Sequence, residues 1–130
     1  MTEADLSSEY PTGYLEDLPL HFVHYSAFEE AKDKWFERAA RVDFGNLYFM
    51  LAQRDGCTSE DVRAFDALPY GNKVAFVDRP MPDVQCAFYD PSYVEEGGGV
   101  KVLTAYKSKL SYRRIMDTWD GVAFLNSQHG

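Results

Sequence analysis

The sequence is poor in the features that name a function. It has two cysteines, Cys57 and Cys86, far apart and without a Cys-x-x-Cys pair, so neither a zinc site nor a disulfide framework is signalled. No apolar run approaches the roughly 18 residues of a membrane span. The opening Met1-Thr2-Glu3-Ala4-Asp5 is too acidic for a signal peptide. A reducing cytoplasm is therefore the expected location. No Gly-x-Gly-x-x-Gly or Gly-x-x-x-x-Gly-Lys-Ser/Thr loop follows a strand, and no Gly-x-Ser-x-Gly elbow occurs, so a dinucleotide, P-loop or serine-hydrolase site is unsupported and the cofactor stays unknown. A net charge of −8 argues against a nucleic-acid partner, which calls for a basic face.

What is present fits one globular domain. The 130 residues are 45% hydrophobic and 26% charged, with nine Tyr and nine Phe suited to strands with large buried side chains. Charge is unevenly placed. Residues 1–30 hold seven acids and no Lys or Arg, whereas residues 101–114 hold Lys101, Lys107, Lys109, Arg113 and Arg114 and no acid. The plain reading is two solvated faces; the sharper one is an anion-binding patch for a sugar phosphate or lipid head group.

In order, residues 1–12 read as a flexible acidic lead-in and 13–130 as a single α/β domain. Residues 20–25 read as a strand, with alternation placing His21 and His24 on opposite faces, which prevents the pair from chelating one metal. Ser26 and Glu29 match a capping box for a helix reaching about Val42, with Glu30–Lys34 and Glu37–Arg41 pairs along it. A strand at 46–53 follows, then a helix capped by Thr58 and Asp61, then a strand at 73–77. This β-α-β-α-β order predicts a three-layer, Rossmann-like α/β fold with a mostly parallel sheet. Residues 84–89 follow so closely that they read as an antiparallel edge strand. Helices are expected at 102–110 and 112–119, with Asp120 capping a last turn.

The stretch Arg54-Asp55-Gly56-Cys57-Thr58 is the leading candidate site, because it ends a strand and opens a helix at the carboxyl end of the sheet. Arg54, Cys57 and Thr58 are candidate substrate-binding residues, with an anion at the helix start and on the Arg54 fork. Asp55 is a candidate base, and His21 or His24 an acid/base group if either reaches the corner. Cys57 as nucleophile is a weaker idea. The bland alternative is that Asp-Gly makes a turn, Arg54 pairs with an acid and Cys57 packs as a small hydrophobe.

Several ordered segments carry a resemblance: Tyr10-Pro11-Thr12-Gly13-Tyr14-Leu15, His21-Phe22-Val23-His24-Tyr25, Asn46 with Arg54 to Thr58, and Phe65-Asp66 to Asn72-Lys73-Val74. Over roughly residues 10–126 the chain resembles the bacterial domain of unknown function 1919, often labelled an exopolysaccharide or capsule biosynthesis family. The resemblance implies an α/β fold and a setting among polysaccharide genes, and supplies no reaction. It also implies a further amino-terminal segment ahead of Tyr10, absent here, so a shortened member is expected. Two functions follow as expectations: transfer of a sugar or sugar substituent with an anionic sugar or sugar-phosphate ligand, or a noncatalytic module docking on a polysaccharide-synthesis partner.

Overall fold

The computed structural model describes residues 1–4 and 9–126, in two compact units, 1–46 and 47–130. In the first unit, β1 (Thr2–Glu3), β2 (Thr12–Leu15) and β3 (Leu18–His21) form an antiparallel sheet in that order, followed by α1 (Phe28–Ala39). Leu15 pairs with Leu18, and the tight turn between them is made possible by Glu16 at φ +56. Gly13 is required by close packing: a Cβ there would lie 2.5 Å from Phe28 Cε2 and 3.0 Å from the Thr2 carbonyl. The core is small, with only Phe22, Phe28 and Ala31 buried among the described residues of this unit's cluster.

The second unit carries the parallel sheet. β4 (Phe49–Ala52), β5 (Lys73–Val77) and β6 (Ala87–Tyr89) lie in the order β4-β5-β6, all parallel, with α2 (Ser59–Asp66) between the first two. β5 is buried on both faces, as a strand covered from two sides must be. Ala75 and Val77 pack with Val62 of α2, Met81 and Val84; Val74 and Phe76 pack with Tyr93, Val100 and Ile115. The second layer is a 3-10 turn at Pro91–Tyr93, another at Ile115–Thr118, and α3 (Gly121–Asn126).

The ends of α2 and the start of α3 follow local chemistry. Thr58 and Asp61 complete a capping box: Asp61 N–H donates to Thr58 Oγ1 at 3.2 Å, and Thr58 N–H donates to the Asp61 carboxylate at 2.8 Å. At the other end of α2, the Lys73 ammonium donates to the carbonyls of Phe65, Asp66 and Leu68, supplying a cation where the helix leaves its last carbonyls unpaired. Asp120 Oδ1 accepts from Ala123 N–H at 2.9 Å, the expected cap of α3.

Several expectations change. The strand at 84–89 is parallel to β5, not antiparallel. Its connection dispenses with a helix: buried Met81 and Val84 lie on the α2 face, so an irregular crossover covers the sheet there. The segment 20–25 is not a strand of the parallel sheet; β3 ends at His21, and Tyr25 N–H donates to the Phe22 carbonyl in a turn. What stands is a mixed α/β chain with one parallel and one antiparallel three-stranded sheet. Ser26 does not cap α1, because the helix starts one residue later, with Ala27 as N-cap and no side-chain bond; it also ends at Ala39 rather than Val42. Of its predicted pairs, Glu37–Arg41 forms at 3.8 Å, while Lys34 turns to Glu37 at 2.9 Å. The segments 102–110 and 112–119 do not form helices. Tyr106 and Arg114 instead form a β-bridge, and only the 3-10 turn Ile115–Thr118 is helical. Serines at 108 and 111 and clustered aromatics give that stretch no helical face to bury.

Candidate functional site

The carboxyl edge of the parallel sheet gathers the polar groups of the second unit. β4 runs out through Gln53, which is buried: its N–H donates to the Phe76 carbonyl at 2.9 Å and its own carbonyl accepts from Val100 N–H at 2.8 Å. Arg54 follows. Asp55 and Gly56 both have positive φ, +53 and +87, and Cys57 N–H closes the turn on the Arg54 carbonyl at 3.0 Å. Aspartate tolerates the left-handed region better than most residues and glycine adopts it freely, so Asp-Gly suits this turn.

At this corner each part of the bland reading is met. Asp-Gly makes the turn, and Arg54 Nε donates to Asp55 Oδ2 at 3.0 Å. Cys57 packs against the Val62–Val77 cluster. Burial, with help from the Asp61 and Asp78 charges, pushes the Cys57 thiol up, the wrong direction for a nucleophile at neutral pH. In the cap the Thr58 N–H and then its hydroxyl both donate to the Asp61 carboxylate, which holds the Asp61 carboxyl below its usual range. Arg54, Asp55, Cys57 and Thr58 thus share one corner of the second unit. His21, at the end of β3, and His24, in the turn that follows, belong to the first unit.

The residue not anticipated is Asp78, directly after β5. Its side chain is only 9% exposed. One carboxylate oxygen accepts from Arg79 Nε and the other from Gly99 N–H, each at 2.9 Å, while its own N–H donates to Gln53 Oε1 at 3.2 Å. The Arg79 bond outweighs desolvation, and the Asp78 carboxyl is held below the usual carboxylate range. Gly99 is one of three successive glycines at positive φ, which bring that loop's backbone against the edge. β6 ends the same way. Asp90 accepts from Ser92 N–H at 2.9 Å and Ser92 Oγ at 2.7 Å, and the Thr118 hydroxyl lies 3.3 Å from its other oxygen. Each parallel strand is therefore followed, within three residues, by an aspartate: Asp55, Asp78 and Asp90. The signal in the sequence is positional, an acid immediately beyond Val77 and Tyr89.

No group of three or more potential metal-ligating side chains occurs among the described residues. Nor does any helix among them have the length and apolarity to cross a membrane. The edge offers ionised carboxylates held by their donors, two guanidinium groups and a buried amide. Such groups bind hydroxyls and small anions; a carboxylate with a lowered pKa is a poor proton acceptor.

Other grooves lie elsewhere among the described residues. One of about 480 Å³ in the first unit is mostly apolar, lined by residues that include Phe22, Tyr25, Trp35 and Val42. Another of about 560 Å³ in the second unit runs past Asp66, Tyr70, Lys73 and Cys86. There the Asp66 carboxylate, though burial opposes its charge, is held low by Cys86 and the Gln85 N–H. Cys86 is pushed up to about 11, mainly by burial.

Residues 1–126 match the family model described as domain of unknown function (DUF1919). The chain belongs to the DUF1919 family. It is similar to an uncharacterized protein of Haemophilus influenzae (strain ATCC 51907 / DSM 11121 / KW20 / Rd), 34% identical over 128 residues. That match takes in 97% of this chain and 60% of the relative, so the chain spans somewhat less than two thirds of the relative's length. No solved structure matches this DUF1919 chain.

Proposed function

We propose that this DUF1919 chain handles a sugar or a sugar substituent in the assembly of a bacterial surface polysaccharide, as a cytoplasmic transferase or part of one. The observation that carries the reading is the shielded Asp78 carboxylate at the carboxyl end of the central strand, beside buried Gln53 and the Arg54–Asp55 corner. Ligands of open parallel sheets bind outside that end. Held carboxylates and an amide suit sugar hydroxyls, and a guanidinium suits a phosphate or uronate. In this scheme Arg54 clasps the anionic group, Asp78 and Gln53 orient hydroxyls, and the exposed Asp55 is the remaining candidate base. The polysaccharide setting comes from the family resemblance.

Calorimetry with a panel of nucleotide-sugars and polysaccharide fragments tests it. Binding should appear for at least one of them and weaken tenfold or more, by the loss of a charged hydrogen bond, in Asp78→Asn and in Arg54→Ala. No binding across the panel, with unchanged polysaccharide in an Arg54→Ala/Asp55→Ala strain, would sink the proposal.

A second reading, a noncatalytic module docking on a polysaccharide-synthesis protein, is favoured by the apolar groove of the first unit. Substituting Trp35 by Ser would then abolish capture of that protein and leave any sugar binding intact.

A further inference from the structure

The segment 101–114 is a built projection rather than a loose loop. Its base is pinned to the core: Ile115 N–H donates to the Ala105 carbonyl at 2.9 Å and Met116 N–H to the Leu103 carbonyl at 3.0 Å, with Ile115 buried. Above this, Lys107 N–H donates to the Arg113 carbonyl at 2.8 Å, and the Arg114 guanidinium lies 4.7 Å from the Tyr106 ring centre and donates to the Thr104 carbonyl. Ser111 N–H donates to the Ser108 carbonyl at 3.2 Å, closing a β-turn whose two central residues are Lys109 and Leu110. Leu110, at this apex, is 99% exposed, and Tyr112 and Tyr106 beside it are 83% and 56% exposed.

A solvated charged face explains the cations but not an aliphatic apex. Leucine at a turn centre makes no backbone contribution that a polar residue would not make better. The combination has a specific match. An apolar tip enters hydrocarbon, tyrosines sit at the level of the head groups, and lysines and arginines reach anionic phosphates. Nucleic acid would use the cations and rings and leave Leu110 unexplained. The rest of the chain fixes the approach: with a net charge of −8 overall and five cations concentrated in 101–114, an anionic surface repels other faces and attracts this one.

We propose that the 101–114 hairpin docks this chain peripherally on an anionic lipid bilayer, with Leu110 as the inserted residue and Lys107, Lys109 and Arg113 as its electrostatic collar. It goes beyond the sugar-handling reading and stands without it.

Co-sedimentation of the full chain with phosphatidylcholine vesicles containing about a third phosphatidylglycerol tests the docking, against pure phosphatidylcholine vesicles. Binding is expected only to the anionic vesicles and should be released at about 0.5 M salt. Leu110→Ser should weaken it about tenfold and Leu110→Trp should retain it. Lys107→Gln/Lys109→Gln should weaken it roughly thirtyfold. All three lie on exposed positions, so unchanged circular dichroism is expected and confirms folding. Absence of binding overturns the proposal, as does equal binding to both vesicle types. Anionic binding that survives Leu110→Ser but not the lysine changes also overturns it, and assigns the hairpin to an acidic soluble partner or nucleic acid.

Discussion

At the scale of single residues the two thiols behave alike in different surroundings. Cys57 sits under the corner against Val62 and its neighbours, and Cys86 beside Asp66; both are raised by burial first, with nearby carboxylates adding to it. A thiol at about 11 carries almost no thiolate at pH 8. Both should therefore react with Ellman's reagent far more slowly in the native chain than in denaturant, and Cys57→Ala should leave any sugar binding unchanged. Rapid labelling of Cys57 at neutral pH would restore it as a nucleophile. The sequence allowed the corner to be located because Arg54-Asp55-Gly56 is local chemistry. Asp78 was missed because its meaning depends on Gly99, twenty-one residues away, and on Gln53 from another strand. Nothing local distinguishes a shielded aspartate from a solvated one.

At the scale of elements, α2 shows how fully a short helix depends on its ends. Eight residues are too few for intrinsic helicity in water, so the helix is held by Val62 in the core, the Thr58–Asp61 box and the Lys73 ammonium. Thr58→Ala should cost about 1 kcal/mol and Lys73→Gln about 1–2 kcal/mol. The two sites lie at opposite ends of the element and share no partner, so the double variant should show near-additive loss in chemical denaturation. Strong coupling between them would mean that the helix melts as one unit. The Thr58 box was readable because Thr-x-x-Asp is a contiguous signature. The Ser26 box carried the same signature and failed, since α1 begins where Phe28 packs against Phe22 and Gly13 rather than where a cap is available. The parallel direction of β6 was likewise unreadable: it is set by Met81 and Val84 binding the α2 face, a tertiary event that makes a helix-free crossover long enough.

At the scale of the whole molecule, acid stability follows from several carboxylates moving in one direction. Asp66, Asp78 and Asp90 each have folded pKa values below their ordinary value. A depressed folded pKa contributes stability that is present above the unfolded pKa and is lost as pH falls through the folded one. The chain should therefore hold its stability from neutral pH down to the ordinary carboxylate range, then lose it progressively below pH of about 4. Denaturant titrations across that window should show a shallower acid loss in Asp78→Asn than in the natural chain. An unchanged slope would mean that Asp78 is not tied to Arg79 and Gly99 in solution. The β-α-β-α-β order of elements had indicated an α/β chain with a parallel sheet, and that much stands; the split into two units was not legible, because the first unit's strands look in sequence like members of the sheet that follows.

β5 alone among the described strands of its sheet has a neighbour on each side, and apolar clusters cover both its faces. No local fraying can bare it. Its amide protons should therefore leave only when the second unit opens as a whole, whereas those of β4 and β6 escape through smaller fluctuations. Because Val77 hands directly on to Asp78, a ligand bound at the carboxyl edge would bear on the best-covered strand of its sheet, and its arrival would register in the lifetime of those few protons.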